Sequence, residues 1–202
     1  MNARGLFNPL VVVPFLVVGL VACAQPKVPD EHYYRLDADM PESLSSPLFS
    51  GVMMVEPFRG NGLTRERPLL YSSADTPLEV QQYNYHYWID TPTLMVQDQV
   101  VDFARQVNIA ETVVTPDMRL IPDYIMNGHI KRLDRVVGSN GSTSVLEIEF
   151  NLMDAHSDRP VLMKNYLVEE EAGDDMASTI EAFKRAFTKV FSDLKADLQA
   201  GS

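Results

Sequence analysis

The chain has 202 residues, a net charge of −11 and a single cysteine. The excess of acid argues against nucleic acid as a partner, because phosphates must be neutralised by basic patches. It argues equally against electrostatic docking on anionic lipid headgroups. A lone thiol closes no intrachain disulfide, so the fold must stand on its core.

The first segment is apolar from Leu10 to Leu20 apart from Gly19, is interrupted by Pro14, and follows the positive charge of Arg4 and the amino terminus. A spanning helix needs about 20 apolar residues. The run is shorter and reads as the core of a signal peptide over residues 1–22. It closes on Leu20-Val21-Ala22-Cys23, which resembles the lipobox of bacterial lipoproteins. That resemblance implies cleavage before Cys23 and its modification by fatty acyl chains such as palmitate. One acyl chain holds a protein marginally, and several anchor it firmly. Ala24 stands where an Asp tends to retain a lipoprotein at the inner membrane. The expected location is therefore the outer membrane, facing the periplasm. Without residues 1–22 the chain keeps 180 residues and a charge of −12, the size of one domain.

Residues 23–30 form a short polar, proline-containing tether, and residues 31–202 form the domain. Tyr33-Tyr34-Arg35-Leu36 has strand propensity. Asp37 to Ser50 reads as a loop, Gly51 to Val55 as a buried strand, and Phe58 to Arg67 as an exposed loop. Leu69 to Ser72 and Leu78 to Trp88 read as two strands around an Asp-Thr-Pro turn.

A helix follows, with Thr91 as its cap and Pro92 at the first helical position. Val96, Val100, Phe103 and Val107 share one face. Pro116 and Pro122 bracket a connection. Three strands then form an antiparallel meander: Tyr124 to Val137, a second centred on residues 146–152, and Val161 to Val168. In the second, Leu146, Ile148, Phe150 and Leu152 alternate with Glu147, Glu149 and Asn151, so one face is core and one meets water. Glu169-Glu170-Glu171 reads as a solvated loop. Asp174 or Asp175 caps a long helix whose stripe is Met176, Ile180, Phe183, Phe187, Val190, Leu194 and Leu198. Its default meaning is burial against the sheet. The expected fold is α/β (α+β), a mixed, largely antiparallel sheet with two long helices on one face.

His32, His86, His129 and His156 lack metal-type partners at short spacing. No nucleophile elbow or phosphate-binding Gly-rich loop is present. The expectation is a protein without catalytic residues, metal or cofactor. Tyr83-Asn84-Tyr85-His86-Tyr87-Trp88 is unusually aromatic, and such residues mark interfaces. Strict alternation sends Tyr83, Tyr85 and Tyr87 to one side and Asn84, His86 and Trp88 to the other. Tyr83, Tyr85, Tyr87 and Trp88 are the candidate contacts to a partner or a second copy, the tyrosine side foremost.

Together these segments resemble the ABC-type transport auxiliary lipoproteins of the paraquat-inducible protein C type. The residues that carry the likeness are the lipobox, Tyr33-Tyr34-Arg35-Leu36, Gly60-Asn61-Gly62 before Leu69-Leu70-Tyr71-Ser72, and the aromatic run leading to Pro92. The chain departs from the family where Tyr87 replaces an Arg before the Trp and where Ile89-Asp90-Thr91 replaces a small residue. The resemblance implies a fold similar to the N-terminal domain of TolB. It also implies work beside an ABC transporter permease and ATPase and an MCE-domain protein, moving lipids between two membranes, and homo-oligomeric rings. A rival reading, a lipoprotein activator of a peptidoglycan synthase, would need a longer tether than Ala24 to Asp30. A hydrolase is the other rival.

Overall fold

The computed structural model describes residues 28–139, 141–157 and 159–201. Cys23, the signal segment and most of the tether lie outside the described residues. Nine strands form one mixed sheet, and two helices cover one face of it.

The organising element is β7 (Tyr124–Gly138). Along one edge it pairs antiparallel with β8 (Gly141–Asp154) over its whole length, and β8 pairs antiparallel with β9 (Arg159–Ala172). Along the other edge it takes three parallel partners in succession. These are β2 (Phe49–Val55), the two-residue β3 (Arg59–Gly60) and β4 (Pro68–Ser73). Outside β2 lies β6 (Ala110–Val114). Outside β4 lie β5 (Thr76–Trp88), joined to it by a hairpin, and β1 (His32–Tyr34). The long ladders are antiparallel and the short ones parallel, which makes the mixed, largely antiparallel sheet expected from the sequence.

The expected alternation in β8 is present: Leu146, Ile148, Phe150 and Leu152 are buried, while Glu147, Glu149 and Asn151 face outward. Helix α1 (Pro92–Gln106) buries Val96, Val100 and Phe103. Helix α2 (Met176–Gly201) buries Phe183, Phe187, Val190, Leu194 and Leu198, together with Phe191. The helices meet where Phe103 stacks on Phe191 with centroids 4.9 Å apart. Burying one such side chain stabilises the fold by about 1.5–3 kcal/mol, so the two stripes dominate the core. The Asp175 carboxylate accepts the Ser178 N–H at 2.7 Å, capping α2 as expected.

Some elements depart from the expectation. Thr91 precedes α1 without a capping hydrogen bond; its hydroxyl instead meets that of Thr93. Phe58 to Arg67 is not an exposed loop throughout. It holds β3 and a short 3-10 turn, and Phe58 is buried edge-on against Phe150, 5.3 Å away. Glu169-Glu170-Glu171 is not a loop but the end of β9, paired with Ser144 and Val145 of β8 and with Thr143. β6, within the stretch before Pro116, was not expected. It forms because Val113 and Val114 extend alongside Met53 and Met54 of β2, where their side chains find the core. The loop of residues 37–48 lies across the helices: Leu44 and Leu48 donate backbone N–H groups to Val107 and Ile109, and Ala38 to Gln99.

Candidate functional site

The two aromatic segments of the sequence, 54 residues apart, lie side by side. β1 and β5 run parallel with His32 opposite His86, Tyr33 opposite Tyr87 and Tyr34 opposite Trp88. Residues opposite one another in a ladder share a face. His32, His86, Tyr34 and Trp88 therefore point towards the helices, and Tyr33 and Tyr87 point away.

On the inner side the residues act as structure. Trp88 is 1% exposed and meets Phe183 of α2 edge-on at 5.6 Å. It has no surface to offer, which corrects its expected role as a contact residue. Its backbone is clamped as well: the N–H donates to Arg67 O at 2.7 Å, and its carbonyl accepts Arg67 Nε at 3.1 Å. His86 stacks between His32 and Tyr34 and shares a 2.8 Å hydrogen bond with the Tyr34 hydroxyl. Burial, then the neighbouring His32 and Arg135, holds the His86 pKa below the ordinary imidazole value. Burial raises that of Tyr34.

Tyr83 is also on the inner side, against the alternation expected from sequence. The ladder explains it. Pro68 pairs with Tyr87 and Leu70 with Gln82, so two residue steps on β4 span five on β5. The odd excess reverses the facing of everything beyond it. Tyr83 thus packs on Tyr71 at 4.5 Å, meets His86 edge-on and accepts a 3.1 Å hydrogen bond from Arg135 Nη1. Arg135 is buried and donates further to Gly173 O and Asp174 O at 3.1 and 2.8 Å, holding the entry to α2. Tyr85 is half-buried, and its ring joins no aromatic pair among the described residues.

The outward pair is what remains open. Tyr33 is 48% exposed and stacks on the half-buried Tyr87 with centroids 5.5 Å apart. The Arg67 guanidinium sits 5.2 Å from the Tyr33 ring centre, a cation–π contact. The Tyr33 hydroxyl donates to Glu31, and that hydrogen bond holds its pKa above the usual phenol value. The Tyr87 hydroxyl donates to Asn84 O. Glu31, Tyr33, Glu66, Arg67, Pro68 and Tyr87 line a shallow cavity of about 300 Å³. Ring faces, two carboxylates and a guanidinium on a solvent-exposed shelf are recognition chemistry. Sequence reasoning overlooked Glu31 and Arg67, and it left Tyr33 out of the contact list. The signal for Tyr33 was present in the doubled aromatic pairs Tyr33-Tyr34 and Tyr87-Trp88, which match residue for residue. Among the described residues no cluster of three metal-ligating side chains occurs, and no helix is long and apolar enough to cross a membrane.

A curled mixed sheet with both helices on one face and an aromatic edge defines an α+β domain. Among solved structures, it is similar to a Xanthomonas campestris protein of the family DUF330, with TM-score 0.71 and 19% identity over 81% of this chain and 92% of that one. It is also similar to an uncharacterised protein, with TM-score 0.65 and 12% identity over 84% and 99% of the two chains. At these identities the likeness is one of fold. No protein-family model and no curated protein matches the chain.

Proposed function

We propose that this chain is a lipoprotein anchored through an acylated Cys23 to the outer membrane and facing the periplasm. There it serves as a non-catalytic auxiliary component of an MCE and ABC-type lipid transport system. The single observation that carries the reading is the Tyr33–Tyr87 pairing. Two of the segments that carry the resemblance, Tyr33-Tyr34 and the aromatic run ending in Tyr87-Trp88, meet in register. Their outward pair, in which Tyr87 stands in place of the family's Arg, makes one open aromatic shelf. The lipobox supports the anchor. The shelf supports a docking role, with the acidic chain suiting a partner segment that brings apolar and basic side chains to Glu31 and Glu66. Homo-oligomer formation through the same shelf belongs to the reading.

The test is recovery of the full-length protein from membranes under mild detergent. An MCE-domain protein with permease and ATPase subunits should come with it, and that recovery should fall when Tyr33 and Tyr87 are both changed to Ala. Recovery of a penicillin-binding protein instead would replace this reading with the activator of peptidoglycan synthesis. Turnover of ester or peptide substrates by the purified protein would end the non-catalytic part of it.

A further inference from the structure

Two exposed apolar tips lie at opposite ends of β7. One is the β4–β5 hairpin, where Leu78 is 97% and Val80 43% exposed. The hairpin turn sits beside the C-terminal end of β7, since Ser73 pairs with Val137 and Ala74 N–H donates to Val137 O. Leu78, Val80 and Pro77 also rim a groove of about 320 Å³ floored by Leu70 and Leu133. The other tip is the loop before β7, where Ile121 is 87% and Leu120 48% exposed. β7 has 15 residues, so at about 3.3 Å per residue the tips are separated by roughly 50 Å of strand.

The path of the chain distinguishes them. β1 runs parallel to β5, so the chain enters β1 from the side of β5 that leads back to the hairpin. Cys23 lies nine residues before His32, and Leu78 lies eight before His86, the residue opposite His32. Nine residues reach at most about 30 Å, so a leaflet holding Cys23 lies within that distance of His32, and the chain leaves β1 towards the hairpin side. The described residues before β1, Val28 to Glu31, are outside any strand, so the ladder on β5 stops at His32. The hairpin edge is therefore left to another occupant.

We propose that this occupant is the lipid leaflet holding the acyl chains of Cys23, and that Leu78 and Val80 rest in its interface. The domain then stands with the β4–β5 hairpin down and the loop around Ile121 turned towards the periplasm. This deepens the anchored reading above and rests on it. Asp75 and Glu79 flank the apolar residues of the hairpin, and the groove's Lys131 and Arg132 are paired with Glu149 and Asp134, so the fitting surface is zwitterionic rather than anionic.

The experiment uses the full acylated protein in phosphatidylcholine vesicles that carry nitroxide-labelled acyl chains. Leu78→Cys and Ile121→Cys each introduce one free thiol at an exposed site for an environment-sensitive fluorophore. Quenching at position 78 should exceed that at 121 several-fold. Equal quenching, or stronger quenching at 121, overturns the orientation. Shielding at 78 without lipid quenching overturns it too, because a protein surface, such as a second copy, would then cover the hairpin. Mass measurement separates the two levels. An unmodified Cys23 overturns both anchor and orientation, whereas an acylated Cys23 with equal quenching overturns the orientation alone.

Discussion

Tyr33 and Tyr87 face each other across a parallel strand pair, stacked on the surface, while their neighbours Tyr34 and Trp88 face the core. One step along each strand separates an open face from a buried one. Changing Tyr33 and Tyr87 to Ala removes a stacked pair worth about 1 kcal/mol and should leave thermal melting close to wild type. Partner recovery from membranes should fall sharply.

Trp88→Ala has the opposite profile. It empties a fully buried site against Phe183 and should cost about 3–5 kcal/mol, read by chemical denaturation. If it unfolds at wild-type denaturant while losing partners, the division between the two faces of this edge is wrong.

Gly128 is irreplaceable for steric reasons. A Cβ there would lie 2.1 Å from the Glu149 carbonyl oxygen and 2.4 Å from Cε1 of Phe58. Gly128→Ala should lower stability by about 1–3 kcal/mol. Phe58→Leu in the same chain should relieve only part of that loss, since the carbonyl belongs to a paired strand. Full rescue in a double-mutant cycle would contradict this.

Arg135 holds two carbonyl oxygens at the β9–α2 junction and the Tyr83 hydroxyl. Arg135→Met strands these acceptors and should cost about 2–3 kcal/mol. Amides at the start of α2 should exchange with solvent faster than those near Leu194.

The histidines should titrate in opposite senses. His86 is held below the ordinary value near 6.5 by burial, so it favours the folded state above that pH and loses its contribution as pH falls. His156 is raised by its hydrogen bond to Asp123, at 2.8 Å, so its contribution is full below the ordinary value and fades as pH rises. NMR titration of the ring protons should place His86 below His156. The reverse order would show that the His32–His86–Tyr34 stack is not closed in solution.

Much of the fold was legible because it repeats. Seven residues of α2 recur by threes and fours, and Leu146 to Leu152 alternates cleanly, so both announce the face they bury. Short pairings carry no such period. β3 has two residues, and Phe58 beside it becomes core only because Gly128 leaves room for its ring. The facing of Tyr83 was illegible for a different reason: alternation assumes an unbroken ladder, and extra residues between Gln82 and Tyr87 reverse it. The Tyr33–Tyr87 pairing joins residues 54 apart, a distance over which local pattern says nothing.

Among the described residues, β7 is the one strand that connects the β1–β5–β4 group to the β2–β6 pair and to β8. Ribosomal synthesis delivers it after every strand of the first two groups. Until residue 138 has emerged, those earlier strands lack the partner that would close them into a sheet. Of their own pairings only the β4–β5 hairpin is local, while β1–β5 and β2–β6 close long loops that form slowly. A polypeptide with this order of elements can close its sheet only after residue 138 of 202 has been made.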